Sequence, residues 1–145
     1  MKNDDREMNY ALFLLARKDY SSKEIFDKIA LKFDREKANV VVEELLRRGL
    51  ISDEQYAVKI IQKYAFTKKY GYLKVEEELR KRGINKDVYL ELLNDMYPLD
   101  RELENAKHFL RIKPPEKIRF YLLSRGFRFD TVQKLLSGFN HVELT

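Results

Sequence analysis

The 145 residues include no cysteine and no tryptophan, only three prolines, five glycines and two histidines. Without cysteine there is no disulfide scaffold, no thiolate nucleophile and no Cys-type zinc site. Neither histidine has a second histidine or a carboxylate cluster at ligand spacing: His108, beside Phe109 on a helical stretch, reads as a packed or surface residue, and His141 as part of an exposed tail. There is no Gly-x-x-x-x-Gly-Lys loop and no Gly-x-Gly-x-x-Gly turn, so the two familiar devices for holding nucleotide phosphates are missing and an ATPase is not expected. No apolar run approaches the roughly 20 residues of a membrane helix, and Met1 to Glu7 lacks the apolar stretch of a signal peptide. A cytoplasmic protein with no cofactor and no membrane partner is expected.

What is present is apolar content of 44% beside charged content of 37%, a balance that suits an ordered, helix-rich chain rather than a disordered tail. The net charge of +5, with a pI near 9.3, makes nucleic acid or an acidic protein surface a plausible partner. The excess grows along the chain. Between Glu54 and Glu76 stand Lys59, Lys63, Lys68, Lys69 and Lys74 with no acid among them.

One core pattern occurs three times: a branched apolar residue, an aliphatic four positions on, then a Gly or Phe four further. It reads Ile25, Ile29, Phe33, then Val75, Leu79, Gly83, then Ile118, Leu122, Gly126. Such spacing marks stacked supersecondary units, which serve as surfaces for long partners. The expected architecture is all-α, with three tandem three-helix repeats over 1–51, 52–98 and 99–145, stacked into an elongated, curved, right-handed-type array. The units are small enough that their apolar faces should be buried only against each other.

Each repeat holds three helical stripes. Met8, Ala11, Leu12, Leu14 and Leu15 form the first, and Ser21 with Glu24 fits a capping box that starts the second. Asp34 caps a third, whose Ala38, Val41, Val42, Leu45 and Leu46 give a broad buried face before Gly49. Ser52 and Gln55 open repeat 2 with another capping box, Gly71 breaks its first helix, and Asn85 caps a helix that carries Val88, Leu92, Leu93 and Met96 up to Pro98. Repeat 3 starts at Asp100, restarts after Pro114-Pro115, and closes near Gly138, with a loose tail from Phe139 to Thr145.

The richest candidate surface is Lys63 to Lys74, in which lysines alternate with aromatic residues. Lys68, Lys69 and Lys74 could neutralise phosphates while Tyr70 and Tyr72 stack or merely pack the loop; Tyr64, four residues after Ile60, reads as core. Two further groups, Arg80-Lys81-Arg82 and the set Lys113, Lys117, Arg119, Arg125 and Arg128, occupy comparable places in repeats 2 and 3. They form a track if the repeats stack regularly; otherwise they complement helix C-termini. The acids Glu76, Glu77 and Glu78 do not converge on one helical face and read as a solvated run rather than a metal site.

The passage Glu44 to Ala57, with Leu45-Leu46-Arg47-Arg48-Gly49-Leu50, then Gly71, then Glu78-Leu79-Arg80-Lys81-Arg82-Gly83-Ile84, resembles the RecX family of recombinase regulators. Ala11-Leu12, Leu15-Ala16-Arg17, Ser21 to Ile25 and Arg125-Gly126-Phe127 extend the likeness over nearly the whole chain. Phe33 departs from it, standing where a glycine often closes that helix. The resemblance implies a stack of three-helix repeats that lodges in the groove of a RecA filament and restrains ATP hydrolysis, strand exchange and co-protease activity. Beside that filament, the basic residues leave single- or double-stranded DNA as an open further partner. A monomer without catalytic residues is expected. A different class of function, duplex recognition by a helix-turn-helix within Ser21 to Gly49, also fits the spacing, although its third helix carries Glu43 and Glu44 beside Lys37 and Asn39.

Overall fold

The computed structural model describes the backbone of residues 2–144 and the side chains of residues 6–138. Among the described residues nine α-helices form three groups: α1 (Lys2–Leu15), α2 (Ser22–Lys32) and α3 (Arg35–Arg47); α4 (Asp53–Ile61), α5 (Tyr72–Lys81) and α6 (Lys86–Met96); α7 (Leu99–His108), α8 (Pro115–Ser124) and α9 (Phe129–Leu144). No strand occurs among the described residues. A π-helical turn, Gln62–Thr67, extends α4, and a short 3-10 turn, Phe109–Arg111, extends α7.

The start signals act as their chemistry dictates. Ser21 Oγ accepts from Glu24 N–H at 3.0 Å while the Glu24 carboxylate takes the Ser21 N–H at 2.9 Å, a complete capping box. Asp34 takes Lys37 N–H, Ser52 takes Gln55 N–H and Asn85 takes Asp87 N–H. Gly49, Gly83 and Gly126 sit at φ of 71°, 79° and 89°, each ending a helix in the left-handed turn. Gly138 ends nothing: α9 runs through it to Leu144, so the expected loose tail is helical backbone. The expected exposure of His141 lies outside the described side chains.

Each repeat closes a core of its own. Ala11, Ile25, Ile29, Ala38 and Leu45 fill the first, Ile61, Val75, Leu79, Tyr89, Leu93 and Tyr97 the second, and Ala106, Ile118, Leu122, Phe127 and Val132 the third. This corrects the expectation that the units bury their apolar faces only against one another. The correction has a physical cause: three helices packed on one another already enclose clusters of twelve, ten and seven buried hydrophobic residues in repeats 2, 1 and 3, and the repeat ends are left free for polar contacts. Three assignments within the stripes also change. Leu12 and Leu46 are exposed, and α6 fully buries Tyr89, a ring outside the expected stripe, while Val88 and Leu92 pack half-buried against the same core. The phenol that makes Tyr89 look amphipathic in sequence is satisfied by the Glu76 carboxylate at 2.8 Å.

The second helices, α8, α5 and α2, line up head to tail. Arg125 O, at the C-terminus of α8, accepts from Gly71 N–H at 3.0 Å, and Gly126 O from Leu73 N–H at 2.9 Å, at the N-terminus of α5. One repeat along, Arg82 O at the end of α5 accepts from Ser21 Oγ at 2.6 Å at the start of α2. Positive helix ends thus meet negative ones. Strung out this way, the chain exposes 9583 Å², about a fifth more than the roughly 7,900 Å² of a compact protein of 17.4 kDa.

Candidate functional site

The loop from α4 to α5 is unusual in its backbone. The π-helical turn widens the chain over Gln62–Thr67, and Lys69 follows at φ 57°, a conformation that is rare outside glycine. π-turns and strained backbone concentrate at functional sites. Neighbouring groups hold this loop rigidly. Asn105 Nδ2 donates to Ala65 O at 2.6 Å, Tyr97 Oη to Tyr70 O at 2.6 Å, and Arg125 Nη2 to Lys68 O at 2.5 Å. Burial pushes the Tyr97 phenol far above its ordinary pKa, so it stays a donor across the physiological range.

Rings and cations alternate across this region. Lys113 Nζ lies 4.2 Å from the Tyr121 ring, and the Arg125 guanidinium lies 5.7 Å from Tyr121 and 4.2 Å from Tyr70. Tyr70 stands 6.1 Å from Tyr64, whose ring has Lys68 at 5.2 Å, Lys63 at 5.6 Å and Arg82 at 5.7 Å. These separations suit cation–π attraction. The result is a continuous run from repeat 3 to repeat 2 of half-buried tyrosines and basic groups.

The structure sorts the expected site residues into three sets. Lys68 is exposed, while Lys69 and Tyr70 are half-buried in the strained loop. Lys74 is half-buried, its ammonium 3.7 Å from Glu77. Arg80, Lys81, Lys117 and Arg119 are exposed and Lys113 half-buried; Lys81 lies 3.8 Å from Glu78, and Arg119 donates to the Gln133 side chain at 3.1 Å. The remaining four face inward, which departs from their place on an outward track. Tyr72 is buried, its hydroxyl on Asn94 at 2.6 Å. Arg82 donates to the hydroxyls of Tyr56 and Tyr64 at 3.1 and 2.9 Å. Arg125 is spent on the Lys68 carbonyl, and Arg128 on Glu102 at 2.8 Å and Tyr97 O at 3.0 Å. An arginine after a helix C-terminus that faces another repeat has carbonyls to satisfy, and its planar fork is well suited to them.

Sequence reasoning missed Tyr64, Tyr121 and Glu102. The apolar period put Tyr64 in the core, and only the cations at its neighbours hint at its ring face. Glu102 is fully buried at the contact between repeats 2 and 3, where its carboxylate accepts from Tyr72 N–H at 2.6 Å, Arg128 N–H and Nε–H at 3.2 and 2.8 Å, and Thr131 Oγ1 at 2.5 Å. Its signal was an acid on the buried face of α7, one turn before Ala106. The structure also weakens the helix-turn-helix reading. On α3, Lys37 is 3.5 Å from Glu7, Arg47 and Arg48 both pair with Glu44, and Glu36, Glu43 and Val40 share the exposed surface, which is poorly matched to phosphate.

Among the described residues no group of three His, Cys, Asp or Glu could hold a metal ion, and no helix is long and apolar enough to cross a membrane.

Fold and surface together define an all-α helical-repeat protein with a run of tyrosines and cations across its second and third repeats. No protein-family model matches the chain. It is 31% identical over 133 residues to "Regulatory protein RecX" of Chromobacterium violaceum, covering 86% of this chain and 85% of that protein. To the RecX of Trichlorobacter lovleyi it is 30% identical over 142 residues, covering 86% of this chain and 90% of the relative. The crystal structure of RecX from Lactobacillus salivarius superposes with a TM-score of 0.83 at 22% identity, over 97% of this chain and 99% of that one. A second RecX crystal structure gives 0.80 at 18% identity, over 92% and 73%. The chain belongs to the RecX family.

Proposed function

We propose that this protein is a non-enzymatic, cytoplasmic and monomeric regulator, mainly negative, of the RecA recombinase in DNA repair and recombination. It lies along the groove of the RecA–DNA filament and lowers ATP hydrolysis, strand exchange and co-protease activity. The observation that carries this reading is the elongated three-repeat array bearing a rigid basic loop, Lys63 to Lys74, in a chain of the RecX family. A filament repeats one acidic protein-and-phosphate surface along its length, and an extended array with a row of cations is complementary to it. Of the expected contact residues, Lys68, Lys69, Tyr70, Lys74, Arg80, Lys81, Lys113, Lys117 and Arg119 form the proposed surface, while Tyr72, Arg82, Arg125 and Arg128 position it.

The single state is supported by how the array ends. A fourth repeat would dock on the N-terminus of α8, but Pro114 and Pro115 offer it no N–H. At the other end, Phe33 stands where Gly83 and Gly126 admit a preceding repeat.

The test is RecA ATP hydrolysis on single-stranded DNA, titrated with this protein well below one copy per RecA. Loss of hydrolysis at those ratios is expected. Full hydrolysis at equal amounts and low salt would overturn the reading.

A further inference from the structure

Helix α8 carries a ring that the core does not use. Phe120 is 80% exposed, although Ile118 and Leu122, two positions to either side, are buried. At the corresponding places of repeats 2 and 1 stand Glu77 and Asp27, so the exposed ring is peculiar to repeat 3. Beside it lies an open cleft of about 470 Å³ lined by Lys113, Glu116, Lys117, Phe120, Tyr121 and Ser124, of a size to take a base with its sugar. Glu116 is the single acid there among the described residues. Among the described residues neither Lys113 nor Lys117 has a carboxylate within the 4.0 Å of an ion pair. The segment 111–119 holds Arg111, Lys113, Lys117 and Arg119 against Glu116 alone.

The occupant of such a cleft is an anion with a flat or apolar part. An acidic peptide needs one pocket for one anchor. A single strand needs ring after ring with cations between them, because each base offers a face to stack and each link a phosphate to neutralise. The second pattern is the one present. Tyr121, on the wall of the cleft, continues through Arg125 to Tyr70 and then to Tyr64 with Lys68, at steps of 5.7, 4.2, 6.1 and 5.2 Å. A duplex hides its base faces and could use only the cations.

We infer that α8 opens a single-stranded nucleic-acid track of the protein's own, in which a base stacks on Phe120, Lys113 and Lys117 take its phosphates, and the strand continues past Tyr121 and Tyr70 toward Lys68. This contact does not require the recombinase. It goes beyond the filament reading, and it is tested with no RecA present, so that the two can fail separately.

The experiment is fluorescence anisotropy of a dye-labelled oligothymidylate titrated with the full chain at low salt. Binding is expected, weakening steeply as salt rises. Phe120→Ala should weaken it about tenfold, the size of one lost base stack, with the salt slope unchanged. Phe120→Tyr, which keeps the ring, should restore the affinity. Lys113→Glu with Lys117→Glu should lower both affinity and slope. Because Phe120 lies outside the core, an unchanged melting midpoint should accompany the Ala variant. The inference is overturned by no binding of the unaltered chain, by equal affinity of the Phe120→Ala protein, or by a duplex of equal length that binds as tightly. It is likewise overturned if polyglutamate displaces the oligonucleotide and Phe120→Ala weakens polyglutamate equally, which would make the cleft a peptide site.

Discussion

The two junctions of the array solve one problem with different materials. At each, a carboxylate from the first helix of a repeat accepts the first backbone N–H of the preceding repeat's second helix, and a C-terminal carbonyl accepts from that helix's cap. Between repeats 1 and 2 the work is done by short side chains, with Ser21 buried and Ser22 and Asp53 at a half-exposed rim. Asp53 takes Ser22 N–H at 2.7 Å and Ser22 Oγ at 2.6 Å, Ser21 Oγ reaches Arg82 O, and exposed Lys59 pairs with Asp19 at 3.0 Å. Between repeats 2 and 3 the backbones themselves touch. A Cβ on Gly71 would lie 2.1 Å from Phe127 N, and the carboxylate is Glu102, fully enclosed and paired with Arg128. Side-chain contacts can give way; backbone contacts around a buried charge cannot. The loop carrying Lys68 and Lys69 is attached to the second kind of junction.

The sharpest way to break this contrast is to remove each carboxylate. Glu102→Ala takes the carboxylate from the half-buried Arg128 guanidinium, which keeps only Tyr97 O, and leaves the Tyr72 N–H and the Thr131 hydroxyl without their acceptor, and should destabilise the protein by about 3–5 kcal/mol. Asp53→Ala removes a helix cap at a wetter place and should cost about 1 kcal/mol. Urea denaturation of the two variants measures both. Equal losses would mean that the junctions are energetically alike.

The glycines come next. Gly71→Ala should cost about 3 kcal/mol, since the new methyl group meets backbone that cannot move aside. Gly126→Ala should follow, with its Cβ 2.6 Å from Lys74 N and a φ of 89°. Gly83→Ala has a similar φ but meets only the Lys23 side chain, at 2.9 Å, which can swing away. Its loss should stay near the roughly 1 kcal/mol of the left-handed backbone alone. Thermal melts of the three would reverse the comparison if Gly83→Ala proved the worst.

These contacts also show what could be read from the amino-acid order and what could not. Periodicity exposed the helices and the threefold pattern because Ile25, Ile29 and their counterparts sit at fixed spacing in every copy. Caps at Ser21, Asp34, Ser52 and Asn85 were legible because they act within four residues. The junctions were not, because Ser21 meets Arg82 and Gly71 meets Arg125 across more than 50 residues, where spacing carries no information. Arg82, Arg125 and Arg128 consequently look like surface cations until Tyr56, Tyr64, the Lys68 carbonyl and Glu102 are found opposite them. The same blindness hid Phe120, which occurs once and breaks no helical rule.

Alkaline pH offers a gentler probe. Burial, aided by the Glu76 carboxylate, pushes the Tyr89 phenol up to about 12, and burial holds Tyr97 higher still. The unfolded chain releases these protons near pH 10, before the folded one does. The corresponding stability is therefore complete below about pH 10 and is lost as pH rises toward about 12. Tyr97 belongs to the second junction because its hydroxyl accepts from Asn105 Nδ2 of repeat 3 at 2.9 Å, so Tyr97→Phe should be less stable at neutral pH but flatter against pH. Urea midpoints for both proteins from about pH 9 to about pH 12 test this; parallel curves would separate Tyr97 from the alkaline loss.

The smallest effect on stability is expected where the effect on function should be large. Reversing Lys68, Lys69 and Lys74 to Glu changes side chains that leave the core, so the melting free energy should move by no more than about 0.5 kcal/mol. Lys69→Glu keeps the same positive φ, and Lys74→Glu gives up only a 3.7 Å surface pair. Filament affinity should fall markedly, because three cations become three anions on the rigid loop. Asp53→Ala, at the other junction, should do the opposite, lowering stability while leaving affinity in place. Co-sedimentation with RecA on single-stranded DNA reads affinity for both proteins. Unchanged binding of the triple variant would remove the loop from the contact surface, and weakened binding of Asp53→Ala would show that the partner depends on how repeat 1 is set against repeat 2.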